Sequence, residues 1–375
     1  MEAALYVHWA FCPYVCPYCD FAKWAYDERA AERYVRALDA EIAQSPAFEA
    51  GTVFYGGGTP NAYPPAILVR VLALLRERFG VRDDAEVSTE VNPDRSLTEG
   101  FDVLRAGGFN RLSIGAQSFE AAELHVLGRR HTANDVAESV RRARAAGFGN
   151  VNIDLMFGVP GQTAASWARS LDAAIELGVE HVSTYGLTIE EGTPYARWQA
   201  REPAAFADDE REAGLYALAI EKLTAAGFEH YEISNFARPG FRCEHNANYW
   251  RNGAYLGLGV GAASYLAGVR STHTRDRSAY ETATLAGEAI PGESEELTGD
   301  ARAGEAVMLA LRTSEGVDAG TFRERYEVDV FTHYAPVIAE FAAAGLLVAD
   351  DRSVRLTARG RFLANDVCGA FLART

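Results

Sequence analysis

FCPYVCPYC, Phe11 to Cys19, places three of the chain's five cysteines within eight residues. The run follows a β-rich segment, ALYVHWAF, and an aromatic, Phe21, stands two positions beyond the last cysteine. Five cysteines in 375 residues make no disulfide scaffold, so a crowded trio reads as metal ligands in a reducing compartment. Structural zinc takes four ligands, commonly in two separated pairs, and no second pair follows at that spacing. A redox Cys-x2-Cys would use only two of the three. A cubane iron–sulfur cluster accepts thiolates from one compact loop. Three thiolates on four irons leave one iron open to a ligand from outside the chain.

Outward from this loop the chain alternates short β-rich runs with amphipathic helical stretches. TVFYGG (52–57), AEVSTEVN (85–92), RLSIGAQ (111–117), NVNIDLMFG (150–158) and HVSTYGL (181–187) join ALYVHWAF as strand candidates. Stretches such as ERYVRALDAEIA and PAILVRVLALLRERFG lie between them. Such alternation predicts parallel strands joined by right-handed crossovers. Six units make a partial barrel or an open doubly wound sheet, and either fold gathers its chemistry at the C-terminal strand ends. Polar residues fall at those ends: Cys12 after the first strand, GGGTP after the second, Glu90 and Asn92 closing the third, Gln117 the fourth. Asp154 lies within the fifth.

The three-cysteine spacing, with Tyr18 before the last cysteine, resembles the radical S-adenosylmethionine (SAM) superfamily. The resemblance implies an α/β fold, a partial (β/α)6 barrel, with a [4Fe–4S] cluster on Cys12, Cys16 and Cys19 and SAM on the open iron. Gly57, Gly58 and Thr59 of GGGTP match the family's glycine-rich strand, where glycine lets the backbone approach a ligand closely. Tyr6, Glu90, Gln117, Arg129 and Asp154 match positions where related porphyrin-handling members contact SAM. Carboxylates suit ribose hydroxyls or an ammonium, and arginine suits a carboxylate.

Within the superfamily the resemblance is closest to the oxygen-independent coproporphyrinogen III dehydrogenases and the related haem chaperones, and it covers nearly the whole chain. Phe21 stands where the dehydrogenases carry a further cysteine, and Cys12 lies close to the start of this sequence. HNANYW, 245–250, fits a motif that the chaperones associate with haem. On that resemblance His245 is a candidate axial ligand of haem iron, with Tyr249 and Trp250 stacking on the porphyrin. Cys243 competes as a thiolate ligand, and Cys368 reads as core. Arg242 and Arg251 flank the motif as partners for haem propionates. WAFC in place of Ile-Pro-Phe-Cys, and Val15 at an often basic position, depart from the family pattern without removing a ligand. The resemblance implies transfer of haem to acceptor haemoproteins, respiratory and membrane-bound ones among them, with an electron donor for the cluster and a homodimer as one assembly. Oxidative decarboxylation of coproporphyrinogen III is the enzyme alternative.

After residue 285 the pattern turns helical (300–312, 318–326, 331–344), then gives two β-like runs in LLVADDRSVRLT and a last helix. This predicts a barrel unit over 1–285 and a small winged-helix-like unit over 286–375. Acidic side chains outnumber basic ones in that second unit, and the whole chain carries 36 Lys+Arg against 52 Asp+Glu, a net charge of −16. Phosphate backbones would be repelled, so no nucleic-acid partner is expected. No basic-then-apolar leader opens the sequence and no apolar run reaches the ~20 residues of a spanning helix. A cytoplasmic protein, at most peripheral at a membrane, is expected.

Overall fold

The computed structural model describes residues 2–372. Its frame is six parallel strands, β1 (Glu2–Trp9), β2 (Glu49–Gly57), β3 (Val81–Val91), β4 (Arg111–Gln117), β5 (Asn150–Phe157) and β6 (His181–Gly186), each paired with the next in chain order. These are the six runs expected from the β-rich segments. Helices Glu28–Gln44, Pro65–Phe79, Ala133–Ala145 and Ala164–Glu176 are among the crossovers. Their starts are specified locally. Asp27 accepts the Ala30 N–H, and Thr132 with Asp135 and Thr163 with Ser166 form reciprocal caps.

Alternation along the strands builds two environments. On β4, Leu112, Ile114 and Ala116 are fully buried in the apolar core that the helices share. Arg111, Ser113, Gly115 and Gln117, on the other face, line a central cavity. Asn152, Asp154 and Met156 of β5 do the same, as do Ser183 and Tyr185 of β6. Side chains two apart share a face, so one register sets the oily outside and the polar inside together.

The sheet reaches well beyond six strands and does not close. β6 is followed at its edge by antiparallel β8 (Asn235–Ala237) and β7 (Glu229–Glu232). On the other side β9 (Tyr255–Leu258) runs parallel to β1, and β10 (Ala263–Leu266), β11 (Val269–His273) and β12 (Gly292–Glu296) continue antiparallel. The order is β12-β11-β10-β9-β1-β2-β3-β4-β5-β6-β8-β7. A second apolar core gathers residues from Ala303 onward, among them Val307, Phe322, Val354 and Phe371. It comprises helices such as Gly299–Leu311 and Ala364–Leu372 around a small three-stranded antiparallel sheet, as the winged-helix-like pattern predicts. Cys368 is buried there.

Candidate cofactor-binding site

The cysteine loop leaves β1 and is tied back by backbone bonds. Trp24 N–H donates to Ala10 O at 2.8 Å and Tyr26 N–H to Cys12 O at 2.8 Å, closing the loop at its base. From the β2 end, Gly58 N–H donates to Trp9 O at 2.6 Å and Thr59 N–H to Phe11 O at 2.9 Å. The glycines are needed there. Gly57 has φ 98°, and a Cβ on Gly58 would meet Trp9 O at 2.4 Å. Tyr14 pins the loop to the end of the third strand and to the segment after the helix Ala121–Val126, accepting from Asn92 Nδ2 at 3.2 Å and the Arg130 N–H at 3.3 Å.

Cys12, Cys16 and Cys19 line one cavity of about 480 Å³ together with Tyr6, Gly57, Gly58, Thr59, Glu90, Gln117, Arg129 and Asp154. Every residue expected around the cluster and SAM is therefore in one place. No three His, Cys, Asp or Glu side chains among the described residues converge as the ligands of a single ion do. The three thiols instead share a cavity wall, which suits a cluster taking one thiolate per iron. Arg129 donates to Cys16 Sγ at 3.8 Å and to Gly115 O at 2.7 Å, with its Nε unpartnered. Burial pushes the Cys12 thiol up to about 11, so iron binding must displace a proton there.

Two carboxylates face the interior. Glu90 accepts the Gly57 N–H at 3.1 Å, and burial, reinforced by Asp154, pushes its carboxyl up to about 8. Asp154 accepts from Ser113 Oγ at 3.0 Å and Asn152 Nδ2 at 2.8 Å, and burial raises it as well. Gln117, which lines the same cavity, stands in the left-handed region at φ 66° at a break in the β4–β5 register. That backbone costs a non-glycine residue roughly 1–2 kcal/mol, and such strain collects at functional sites. Two buried acids, with Arg111 on the same wall, suit a cationic ligand, and the Arg129 guanidinium suits a carboxylate. The cavity fits the amino-acid end and sulfonium of SAM beside a cluster.

HNANYW forms the helix Glu244–Trp250, and its three marked residues do not point into one space. His245 and Tyr249 line the cluster cavity, whereas Trp250 lines its neighbours, one of them shared with Tyr249. His245 is fully enclosed and both ring nitrogens are engaged: Nδ1 with Thr52 Oγ1 at 2.9 Å, Nε2 with the Tyr249 hydroxyl at 2.9 Å. Burial holds its imidazole down at about 3. The Cys243 thiol is buried and hydrogen-bonded to Glu86 at 3.4 Å, and it lines none of these cavities. Phe21 is exposed on the cavity's rim.

Sequence reasoning overlooked Arg111, Ser113, Asn152, Ser183 and Tyr185, which form the cavity's inner wall. The period of two along RLSIGAQ, NVNIDLMFG and HVSTYGL carried that signal, because each residue sits two from one already singled out or from its neighbour on the same face. Arg111 is wholly enclosed beside Cys243 and Glu86, and its Nε has no acceptor.

A barrel opening on a three-thiol loop and glycine-rich strand end defines a radical SAM protein. The radical SAM superfamily model matches residues 6–195, and the HemN C-terminal domain model matches 297–363. The chain is 35% identical over 373 residues to the heme chaperone HemW of Bacillus subtilis, covering 98% of each. It is 37% identical over 380 residues to the heme chaperone HemW of Mycobacterium tuberculosis, covering 98% of this chain and 94% of that one. The solved structure of Escherichia coli coproporphyrinogen III oxidase (HemN), a radical SAM enzyme, superposes with a TM-score of 0.86 at 27% identity, over 100% of this chain and 91% of that chain. The chain belongs to the HemW haem chaperone family of the radical SAM superfamily.

Proposed function

We propose that this protein binds haem and a SAM-ligated [4Fe–4S] cluster and delivers haem to acceptor haemoproteins. The carrying observation is that the cavity lined by Cys12, Cys16 and Cys19 also has His245 and Tyr249 of the HNANYW helix on its wall. The curated relatives that match almost end to end are heme chaperones.

When bound, the cluster supplies one electron to SAM. The chain's residues do the rest. Cys12, Cys16 and Cys19 would hold the cluster, and the bonds from Gly58 and Thr59 fix the loop that carries them. Glu90 and Asp154 would take the ribose hydroxyls or ammonium of SAM, and Arg129 its carboxylate; that all three line the one cavity supports this. To bind an iron His245 would have to give up one of its two bonds, to Thr52 or to Tyr249, a net cost of about 1 kcal/mol that coordination must exceed.

A second reading, oxidative decarboxylation of coproporphyrinogen III, is favoured by the whole-chain likeness to the HemN structure. Phe21 opposes it, since a phenyl ring offers no thiolate where the dehydrogenases have one. The reading places the protein in the cytoplasm, peripheral at the membrane when its acceptors are respiratory. No helix among the described residues is long and apolar enough to cross one. An electron donor reduces the cluster, and a homodimer is the assembly to look for by sedimentation. The test is anaerobic reconstitution followed by parallel assays of haem binding and coproporphyrinogen conversion. One haem per chain without protoporphyrinogen formation is expected; robust protoporphyrinogen formation would restore the enzyme.

A further inference from the structure

One arginine on the wall of the cluster cavity has no partner. Arg111 opens β4 and lines the cavity, yet only 2% of it is exposed. Its guanidinium makes no hydrogen bond and no ion pair among the described residues, and its Nε is enclosed without an acceptor. The two terminal nitrogens are not enclosed in that way, so the surface Arg111 keeps toward the cavity is theirs. The carboxylates around it are engaged elsewhere. Glu86 accepts from the Glu244 N–H at 3.1 Å, the His245 N–H at 3.3 Å and Cys243 Sγ at 3.4 Å. Asp154 is held by Ser113 and Asn152, and Glu90 by the Gly57 N–H. A buried charge with empty donors is costly, and a ligand that brings acceptor oxygens removes the cost. The planar fork of arginine matches a carboxylate with two parallel bonds.

Strand register sets apolar rings at the same level. Tyr6 of β1 pairs with Phe54 of β2, Phe54 with Ser88 of β3, and Ser88 with Arg111. Tyr6, Phe54 and Arg111 all face the cavity, and the two rings stack with centroids 6.4 Å apart. Neighbouring strands lie ~4.8 Å apart, so Phe54 stands about 10 Å from Arg111 across the sheet. That span fits a carboxylate on the guanidinium with a body of one ring over Phe54. The groups assigned to SAM lie further toward the strand ends. Arg129 donates to Gly115, four residues beyond Arg111, or about 13 Å along the strand. A SAM carboxylate at Arg129 therefore leaves the Arg111 fork empty. Glu90 and Asp154 line the same cavity, and their proximity disfavours a dianion such as phosphate at Arg111.

We infer that the floor of the cluster cavity is a second ligand site, separate from the SAM end, for a small monocarboxylate with a flat apolar body. The carboxylate meets the Arg111 fork and the body lies against Phe54 and Tyr6. The inference goes beyond the haem reading and does not depend on it. Such a guest sits deeper in the barrel than SAM and is enclosed with it.

The test titrates benzoate and benzamide against the full reconstituted chain by anaerobic calorimetry, with SAM titrated in parallel. Benzoate should bind about tenfold more tightly than benzamide, because the neutral amide forfeits the charge-assisted pair. Arg111→Met should weaken benzoate about tenfold and leave benzamide unchanged. The ligand-free variant should melt no lower than the wild type, since it loses an unfilled buried charge, whereas a purely structural arginine would be missed on melting. Equal binding of acid and amide, no binding of benzoate, or a variant that melts lower and still binds benzoate overturns the inference. A loss of SAM affinity as large as that of benzoate would place Arg111 in the SAM site and overturn it as well. Benzoate held through Arg111 on a chain that fails to bind SAM would support the floor site and remove the SAM reading instead.

Discussion

Glu90→Gln should flatten the pH dependence of SAM affinity. In the free protein burial, with Asp154 nearby, pushes the Glu90 carboxyl up to about 8. At pH 6.5 the group is therefore protonated, about 1.5 units below its midpoint. A ligand bearing an ammonium and a sulfonium binds the ionised form better, so binding must expel the proton. Expelling it costs about 1.36 kcal/mol per unit, hence ~2 kcal/mol at pH 6.5, or roughly thirtyfold in affinity. That penalty fades as pH approaches 8 and is gone above it, so affinity rises with pH across this window. The amino group of SAM titrates nearby, and the variant's slope supplies that baseline. The glutamine side chain keeps an oxygen for the Gly57 N–H, so the strand end should stay in place. Anaerobic calorimetry of both proteins at pH 6.5 and 8, in buffers of different ionisation enthalpy, reads the affinity and the released proton together. Equal slopes for wild type and variant, or no proton release at pH 6.5, would refute the reasoning.

Reconstituted protein should carry about four irons and four sulfides per chain, and Cys12→Ser, Cys16→Ser or Cys19→Ser should lose most of them while Cys368→Ser keeps them; stoichiometric zinc without sulfide would contradict this. Gly58→Ala should sharply lower iron content, because the added Cβ meets backbone on both sides, Trp9 O at 2.4 Å and Phe11 O at 2.9 Å, and normal content would show that the loop can yield. His245→Ala should lower unfolding stability by about 2 kcal/mol, since it strands the hydroxyls of Thr52 and Tyr249. The same variant should shift the haem spectrum if the imidazole is axial, and an unaltered spectrum and affinity would remove that role.

The cysteine spacing, six strands and polar strand ends were legible in the sequence because each is written locally. A C-x3-C-x2-C loop needs no distant partner to bring its thiols together, and a period of two or 3.6 announces its element within ten residues or so. That Glu90, Gln117 and Asp154 meet follows from parallel strands ending on one side. What the local pattern could not carry is which distant group each side chain finds. The pairing of His245 Nδ1 with Thr52, 193 positions away, and of Nε2 with Tyr249 gives the candidate ligand two hydrogen-bond partners that the motif alone did not announce. Six further strands extend the sheet, all of them only three to five residues long and too short to declare a period. Arg242 and Arg251 were visible beside the motif, but their union with Arg325 and Arg355 around one cavity was not. The order of the six parallel strands and the loop chemistry follow from near neighbours along the chain. Burial, hydrogen-bond satisfaction and local charge are set by whatever the fold packs alongside, and only the tertiary structure decides that.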